Sequence, residues 1–294
     1  MFKFNFQTEE SSEVIDDAPC SASGLVAEAV MELGLEQAAK RYDFQMFPIT
    51  ANLSLLKSTL GSQEAEELLQ DADCSGSDLV PGKYEGGFKL WEGAMDLAQY
   101  LCQHQGQLAA AQDAPPGLAF RGQKVIELGC GHGIPGLVAL SQGAEVHFQD
   151  YNPEVLREVT APSVLANWQA WQTRGSPAAP AAQNPPARFL GGPWAALDSF
   201  LAVEGLAGSY DLVLTSETIY SLSSMPYLLA CIDTALRSGG QALVAAKSYY
   251  FGVGGSSNAF KNAVEAKGGF SIRSLAVEGG GASIQREIIV LQKT

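Results

Sequence analysis

The sequence has no uninterrupted apolar run of the about 18 residues that a membrane-spanning helix requires, so we expect no association with a membrane. Cysteine and histidine are also sparse: five scattered cysteines form no Cys-x-x-Cys pair, and only three histidines occur. The ligand spacings typical of metal sites are therefore missing, and we predict no bound metal ion. An odd number of scattered cysteines is typical of a reducing compartment. They are Cys20, Cys74, Cys102, Cys130 and Cys231.

Basic residues are few as well. The chain has 18 Lys+Arg against 32 Asp+Glu, a formal net charge of −14 over 294 residues. Such a surface repels phosphate groups, so we expect no direct contact with nucleic acid. It attracts a basic protein instead and speeds the encounter with one. No basic cluster typical of nuclear import is evident, so the expected location is the cytoplasm, the nucleus or both.

Composition divides the chain into two parts. Residues 1–82 form an acidic N-terminal extension, in which the stretch 58–82 contains six acids and no basic residue. We interpret this extension as partly disordered or as a docking segment for a basic substrate. Apolar residues spaced for one face predict a helix over 25–39. Residues 83–294 form the second part, whose composition is typical of a globular domain.

Short β-rich runs alternate with helical segments in the second part, which indicates a parallel sheet with helices on both faces. Two strand-like runs around a glycine triplet predict a C-terminal hairpin. The Pro/Ala-rich stretch 175–187 predicts a solvated insertion before the third strand of the sheet. The expected strands cover 124–128, 145–149, 211–216, 241–247, 270–277 and 284–292, and the expected helices cover 134–142, 154–168 and 226–237.

A strand, a glycine-rich turn and a helix follow one another at 125–136. Gly129, Gly131 and Gly133 permit a left-handed backbone and the close approach of a ligand. The spacing also matches the dinucleotide fingerprint, which by itself is weak evidence. Glu127 at the end of the strand suits a ligand with a cationic amino-acid portion. Asp150, which ends the next strand, can accept hydrogen bonds from ribose hydroxyls and so favours an adenosine ligand, either NAD or S-adenosyl-L-methionine.

Several co-linear blocks make the resemblance more specific. The segment Glu127-Leu-Gly-Cys-Gly-His-Gly133 resembles motif I of the seven-strand methyltransferases that use S-adenosyl-L-methionine. Together with further blocks, it resembles the histidine protein methyltransferases over about 78–294. The resemblance implies a Rossmann-like α/β fold, a seven-strand sheet that is mostly parallel with a C-terminal antiparallel hairpin. The further blocks lie at 84–92, 147–152, 210–220 and 246–255.

The resemblance also implies a set of cofactor-binding residues. The segment 90–94 would cover the cofactor, with Trp91 either packed on it or serving as a core aromatic residue. Trp194 would flank the adenine, although Pro193 stands where the family has an acid. Ser216 would lie at the reactive side. The implied cofactor-binding residues are Leu90, Trp91, Glu92, Gly93, Ala94, Glu127, Gly129, Gly131, Gln149, Asp150, Tyr151, Gly192, Trp194 and Ser216.

The resemblance implies transfer of a methyl group to an imidazole nitrogen, the tele nitrogen by analogy, of a basic protein that is a large-subunit ribosomal protein. Glu217 and Tyr220 are expected to position this substrate, and the chain is expected to act as a monomer. Two other interpretations stay open: a protein-lysine methyltransferase of the same fold, and a non-catalytic assembly factor for a ribosomal protein. A nicotinamide oxidoreductase is disfavoured by the terminal hairpin.

Overall fold

An eight-stranded mixed sheet with helices on both faces dominates the computed structural model, which describes residues 29–34, 42–59, 79–80, 82–108, 117–181, 183–277 and 285–294. The strands are β1 (Met31–Leu33), β2 (Asp43–Thr50), β3 (Leu53–Thr59), β4 (Lys124–Leu128), β5 (Glu145–Asp150), β6 (Ala187–Gly191), β7 (Tyr210–Ser216), β8 (Leu236–Lys247), β9 (Phe270–Ala276) and β10 (Arg286–Lys293).

Seven helical elements occur among the described residues. The fourth, α4, starts as a short turn at Pro153–Val155, continues through a π-helical turn at Leu156–Thr160 and ends with the regular helix Ala161–Thr173. The others are α1 (Glu92–Gln103), α2 (Gln105–Leu108), α3 (Ile134–Ser141), α5 (Trp194–Val203), α6 (Met225–Ala235) and α7 (Ser257–Lys267).

The strand order of the sheet is β1-β6-β5-β4-β7-β8-β10-β9. Strands β6, β5, β4, β7 and β8 are parallel, whereas β10 lies antiparallel between β8 and β9. The predicted α/β sheet with a C-terminal antiparallel hairpin is therefore confirmed. The chain leaves β4 in one direction toward β5 and returns on its other side as β7, so the ligand-binding switch point of such sheets lies between β4 and β7.

The central strands are buried on both faces, which explains their continuous apolar sequences. In β4, Val125, Ile126 and Leu128 are fully buried, and they alternate between the two layers of the core. Helices α1, α3 and α4 cover one face, and α5, α6 and α7 cover the other. Among the described residues, no helix combines the length and the apolar character needed to span a membrane.

The helix predicted over 25–39 is wrong where the structure describes it, because Met31–Leu33 forms strand β1 at the edge of the sheet. This strand pairs antiparallel with β6, and the Arg188 guanidinium binds both carboxylate oxygens of Glu32 at 2.7 Å. A three-residue strand is thus held by partners more than 150 residues away. Residues 25–28 and 35–39 lie outside the described residues.

The hairpin formed by β2 and β3 packs on α4 through buried polar groups. Asn167 accepts a hydrogen bond from the Leu56 amide at 2.9 Å and donates one to the Leu56 carbonyl at 2.7 Å. The Ser163 hydroxyl oxygen accepts a hydrogen bond from the Ser58 amide at 2.9 Å. Parts of the stretch 1–82 therefore contact the sheet and its helices, while the division of the chain at residue 82 stays a prediction.

The Pro/Ala-rich stretch lies between α4 and β6, a strand that was not predicted, and it is not simply solvated. Ala178 and Ala179 are buried, at 8% and 2% exposure. The Gln183 carbonyl accepts hydrogen bonds from the Trp168 indole and from the Gln172 amide group. Donors on α4 thus hold the stretch against the fold, and the prediction of a solvated insertion is wrong for these residues.

Replacing Asn167 by alanine should destabilise the protein by about 2–3 kcal/mol. The substitution leaves the partly buried amide and carbonyl of Leu56 without their side-chain partner, and an unpaired polar group away from water costs about 1–3 kcal/mol. Urea unfolding followed by circular dichroism measures the change. The exposed Gln169 on the same helix supplies the control, since Gln169→Ala should change stability by about 0.5 kcal/mol or less. Equal midpoints for the two variants would show that Asn167 does not anchor the hairpin.

Candidate active site

A cavity of about 330 Å³ opens at the carboxyl ends of β4 and β7, at the switch point of the sheet. Its walls come from the glycine loop after β4, the segment before α1, and the loops that follow β5, β6 and β7. The predicted site residues that line it are Leu90, Trp91, Ala94, Gly129, Gly131, Asp150, Tyr151, Gly192, Trp194, Ser216, Glu217 and Tyr220.

The glycine loop forms the floor of this cavity. Gly129, Gly131 and Gly133 have φ angles of 62°, 49° and 65°, which disfavour residues with a side chain. A Cβ atom on Gly129 would lie 2.7 Å from the methyl carbon of Thr218, so the position also lacks space. The hydroxyl of Thr160, on the π-helical turn of α4, donates a hydrogen bond to the Gly131 carbonyl at 2.6 Å. This contact ties the loop to α4.

Asp150 ends β5 beneath the opposite side of the cavity. One of its carboxylate oxygens accepts a hydrogen bond from the Gly131 amide at 2.9 Å, and the other accepts one from the Asn152 amide at 3.0 Å. Burial raises the pKa of this carboxyl to about 6, because the low-dielectric surroundings disfavour its charged form. At neutral pH the group is therefore mostly ionised and can accept further hydrogen bonds, as binding of a ribose requires.

Gln149 lies behind the cavity wall and organises it. Its side-chain oxygen accepts hydrogen bonds from the Gly129 amide at 3.3 Å and from the Trp194 indole at 2.8 Å. Its side-chain nitrogen donates to the Gly192 carbonyl at 2.8 Å. One amide group therefore connects the loops after β4 and β6, and it orients the Trp194 ring that lines the cavity.

Glu127 is 1% exposed and does not line the cavity. One of its oxygens accepts a hydrogen bond from the Gly136 amide at 2.8 Å, while Oε1 has no partner among the described residues. Burial raises the pKa of this carboxyl to about 8, so the group holds a proton at neutral pH. The predicted contact of Glu127 with a cationic amino-acid group therefore stays a prediction, because the carboxyl lies behind the cavity lining and is neutral at pH 7.

The segment before α1 forms the roof of the cavity. The Trp91 indole donates a hydrogen bond to the Gly86 carbonyl at 3.0 Å, and the ammonium of Lys89 lies 4.7 Å from the centre of the Trp91 ring. Leu90 and Ala94 line the cavity with Trp91, whereas Gly93 is buried beside it. Glu92 faces solvent, with its carboxylate 3.4 Å from the guanidinium of Arg286.

Glu217 follows β7 in an unusual backbone conformation. Its φ angle of 57° is the one positive φ outside glycine among the described residues, and its side chain is 4% exposed. Oε1 accepts a hydrogen bond from the Gly93 amide at 3.2 Å, whereas Oε2 has no hydrogen-bond partner among the described residues. Burial raises the pKa of this carboxyl, and the nearby Lys247 acts in the opposite direction. Strain of this kind is typical of functional sites.

Tyr220 lies at the mouth of the cavity, where its hydroxyl donates a hydrogen bond to the carboxylate of Glu85. Its ring meets that of Tyr250 edge to face, with 6.5 Å between the ring centres. The exposed rings of Tyr249 and Phe251 lie further out on the loop after β8. Of these aromatic residues, Tyr220 is the one that lines the cavity.

Sequence reasoning missed several residues of the cavity. His132, in the glycine loop, was not among the predicted site residues, yet it lines the cavity. Its ring nitrogen Nε2 donates to the Phe88 carbonyl at 2.9 Å, and burial lowers the pKa of the imidazole to about 4. The block 84–92 was the signal that could have revealed its neighbours. The other cavity residues that were not predicted are Glu85, Gly86, Gly87, Lys89, Cys130, Pro193, Ala195, Thr218, Ser223, Ser224 and Tyr227.

The class of protein is a methyltransferase, as the sheet order, the glycine loop and the cavity indicate. The family model described as "Methyltransferase domain" matches residues 97–262, more than half of the chain. Within this class the chain belongs to the histidine protein methyltransferases. It is 36% identical over 265 residues to histidine protein methyltransferase 1 homolog of Rattus norvegicus, covering 85% of this chain and 70% of that protein.

Two further relatives are similar to shorter parts of the chain. The Dictyostelium discoideum histidine protein methyltransferase 1 homolog is 36% identical over 213 residues, which cover 72% of this chain and 60% of that protein. The chain thus spans about 60–70% of the length of these relatives. Mouse EEF1A lysine methyltransferase 3 is 28% identical over 162 residues, covering 54% of this chain and 55% of that protein.

The cofactor of this class is S-adenosyl-L-methionine, as the sequence predicts, and the residues present fit it. Asp150 would accept hydrogen bonds from the ribose, Trp194 would contact the adenine, and the amides of the glycine loop would face the amino-acid portion. Bound there, the cofactor supplies a methyl group on a sulfonium ion, which is activated for transfer to a nucleophile.

Replacing Asp150 by asparagine should weaken binding of S-adenosyl-L-methionine about 10- to 100-fold, because hydrogen bonds to a charged acceptor contribute about 1.5–3 kcal/mol. Isothermal titration calorimetry measures the affinity. For the unaltered protein it should fall as the pH drops through about 6, where Asp150 gains a proton, whereas the variant should show a flatter profile. The exposed Glu154 supplies the control Glu154→Gln, which should bind normally. Equal affinities for both variants would contradict a ribose-binding role.

Proposed function

We propose that this protein transfers the methyl group of S-adenosyl-L-methionine to an imidazole nitrogen of a histidine in a basic protein. The observation that carries the proposal is the buried Glu217 carboxylate, which lines the cavity with one oxygen that makes no hydrogen bond to the described residues. A neutral imidazole offers a matching pair of groups, an acceptor nitrogen on one side and an N–H donor on the other.

The chemistry of the acceptor explains why the cavity needs no strong base. An ordinary histidine has a pKa near ~6.5, so its neutral nucleophilic form already dominates at pH 7. A lysine with a pKa of ~10.4 would have to lose a proton first, at a cost of roughly 4.6 kcal/mol. The His132 imidazole, with its pKa near 4, is held by Phe88 and lines the wall of the cavity.

The role that we assign to Glu217 is to hold the acceptor ring. Its free carboxylate oxygen accepts a hydrogen bond from the far ring N–H, which fixes the proton there and leaves the lone pair of the near nitrogen facing the methyl group. When the near nitrogen forms its bond to the methyl carbon, the ring becomes a cation. The adjacent carboxylate stabilises this cation more than it stabilises the neutral ring, which lowers the barrier.

Tyr220 restricts the entrance in this proposal. Its hydroxyl is occupied by Glu85, so the ring is held in place and presents its face and edge to the entering side chain. The Tyr250 ring packs against the Tyr220 ring edge to face, and Glu85 lines the cavity beside it. An aromatic surface of this kind favours contact with a planar ring such as the neutral imidazole of the acceptor.

The natural substrate that we propose is a large-subunit ribosomal protein, methylated at the tele nitrogen. Support comes from the net charge of −14, which favours association with basic proteins, and from the family to which the chain belongs. The same reasoning proposes a monomeric enzyme that acts in the cytoplasm, the nucleus or both, without direct contact with nucleic acid or membranes.

The alternative is a protein-lysine methyltransferase, because the relative from mouse with that name shares 28% identity over part of the chain. One assay separates the alternatives. The protein is incubated with isotope-labelled S-adenosyl-L-methionine and an extract rich in ribosomal proteins, and the modified residue is located by mass spectrometry. We expect label on a histidine. Label on lysine would replace the proposal, and the absence of any label would favour a non-catalytic assembly factor.

Replacing Glu217 by glutamine should lower kcat on a histidine substrate about 100-fold and leave the affinity for S-adenosyl-L-methionine nearly unchanged. The amide keeps the size of the side chain and can still accept from the Gly93 amide, but it cannot stabilise the developing cation. Steady-state kinetics and calorimetry check the two parts. Glu287→Gln removes another partly buried carboxylate, on β10, and should leave kcat unchanged. A Glu217→Gln enzyme with normal kcat would contradict the assigned role.

A further inference from the structure

Lys247 ends strand β8 directly beside the cavity. Its neighbour in the sheet is β7, and the Glu217 amide donates a hydrogen bond to the Ala245 carbonyl at 2.9 Å. The Lys247 ammonium therefore reaches the same region as the Glu217 side chain. It lies 4.0 Å from Oε2 of Glu217, which is the carboxylate oxygen without a hydrogen-bond partner among the described residues.

The same ammonium faces two further groups from the segment that roofs the cavity. It lies 4.0 Å from a carboxylate oxygen of Glu92 and 5.7 Å from the centre of the Trp91 ring. The Lys247 side chain is about one-fifth exposed, whereas that of Glu92 is largely exposed. The ion pair with Glu217 is therefore the one more shielded from water, where an interaction between charges is strongest.

The charges around Lys247 alternate in sign across four elements. The Arg286 guanidinium on β10 lies 3.4 Å from Glu92 and binds Asp96 on α1 at 2.6 Å. The positive charge of Arg286 is thus shared between the carboxylates of Glu92 and Asp96. Among the described residues, Lys247 is the cation within 4.0 Å of the Glu217 carboxylate, and the Tyr250 hydroxyl and the more distant Arg286 charge also act on that carboxylate.

We propose that Lys247 is a positioning residue for methyl transfer, which keeps Glu217 ionised and holds its carboxylate where the acceptor imidazole needs it. The inference rests on the proposed function, since it concerns how the same site is prepared for its substrate. Lys247 makes this contact through charge at 4.0 Å and not through a hydrogen bond, so Oε2 stays available to the N–H of the acceptor ring.

The electrostatic balance at Glu217 makes a cation necessary. Burial raises the pKa of this carboxyl, and the charge of Glu92 adds to that effect, whereas Lys247, the Tyr250 hydroxyl and the hydrogen bond from the Gly93 amide lower the pKa. Without the Lys247 ammonium, the main charge that lowers the Glu217 pKa is lost, and the effect of burial raises that pKa further. The carboxyl would then hold its proton to a higher pH, and a protonated Glu217 would neither accept the hydrogen bond nor stabilise the cation.

The test compares Lys247→Met, Lys247→Gln and Lys247→Arg by measuring kcat/KM for a histidine-containing substrate from pH 5.5 to 9. We expect the two neutral variants to lose about tenfold in kcat/KM at pH 6.5 and to recover at higher pH, because the acid limb of the profile moves upward. Lys247→Arg keeps the positive charge and should retain the acid limb of the unaltered enzyme. The affinity for S-adenosyl-L-methionine should stay within about twofold in all three variants.

A matched control removes an equally exposed lysine elsewhere. The Lys261 ammonium lies 3.2 Å from Glu287, and neither residue lines the cavity. The Lys261 side chain is about as exposed as that of Lys247. Lys261→Met should leave the pH profile unchanged. A second measurement needs no turnover: the titration of Glu217 is followed by infrared difference spectroscopy of the folded protein, with Glu217→Gln used to assign the band.

Each outcome decides the inference. An upward shift of the Glu217 titration in the neutral variants, reversed by arginine, supports it. A uniform loss of kcat at every pH with an unshifted Glu217 titration overturns it and leaves Lys247 a structural role. If the unaltered protein labels no histidine, the proposed function fails, whereas the titration of Glu217 still shows whether Lys247 controls its charge.

Discussion

The site depends on the hydrogen bonds that hold the glycine loop against the end of β5. Asp150 accepts from the Gly131 amide, and Gln149 accepts from the Gly129 amide while its carbonyl accepts from Cys130. These contacts place a backbone with positive φ angles at the switch point, where side chains would otherwise fill the space. Without them the loop would lose its shape, and the cavity would lose its floor.

Burial of carboxyl groups is the second constraint, and it separates three acids by function. Asp150 is held by two amides and stays mostly ionised at neutral pH, whereas Glu127 has one amide donor and keeps its proton. Glu217 lies between these cases, because the charge of Lys247 opposes the effect of burial. The protein thus sets the charge of each acid by the number and kind of partners that it supplies.

Much of the central fold was predictable from local patterns. Strand β4 has the predicted bounds, and β5, β7 and β8 and helices α3, α4 and α6 were located with shifted ends. Helices α1, α2, α5 and α7 and strands β2, β3 and β6 were missed. No helix was predicted at α1 because the block 84–92, which ends at the first residue of α1, was interpreted only by its relation to a cofactor. Strand β1 was predicted as helix, since its three residues depend on β6 and Arg188 for their conformation.

The sequence by itself determined the α/β class, the glycine loop and the carboxylates at the ends of β4, β5 and β7, because strand ends and turns are encoded by residues close together in the chain. Only the tertiary structure decided which of these groups share a cavity. Glu127 and Gln149 lie behind the cavity wall, and Glu92 faces solvent. His132 and Glu85 line the cavity. The tertiary structure also placed Lys247 beside Glu217. Such pairings join residues that are distant in the chain, and sheet register and helix packing set them.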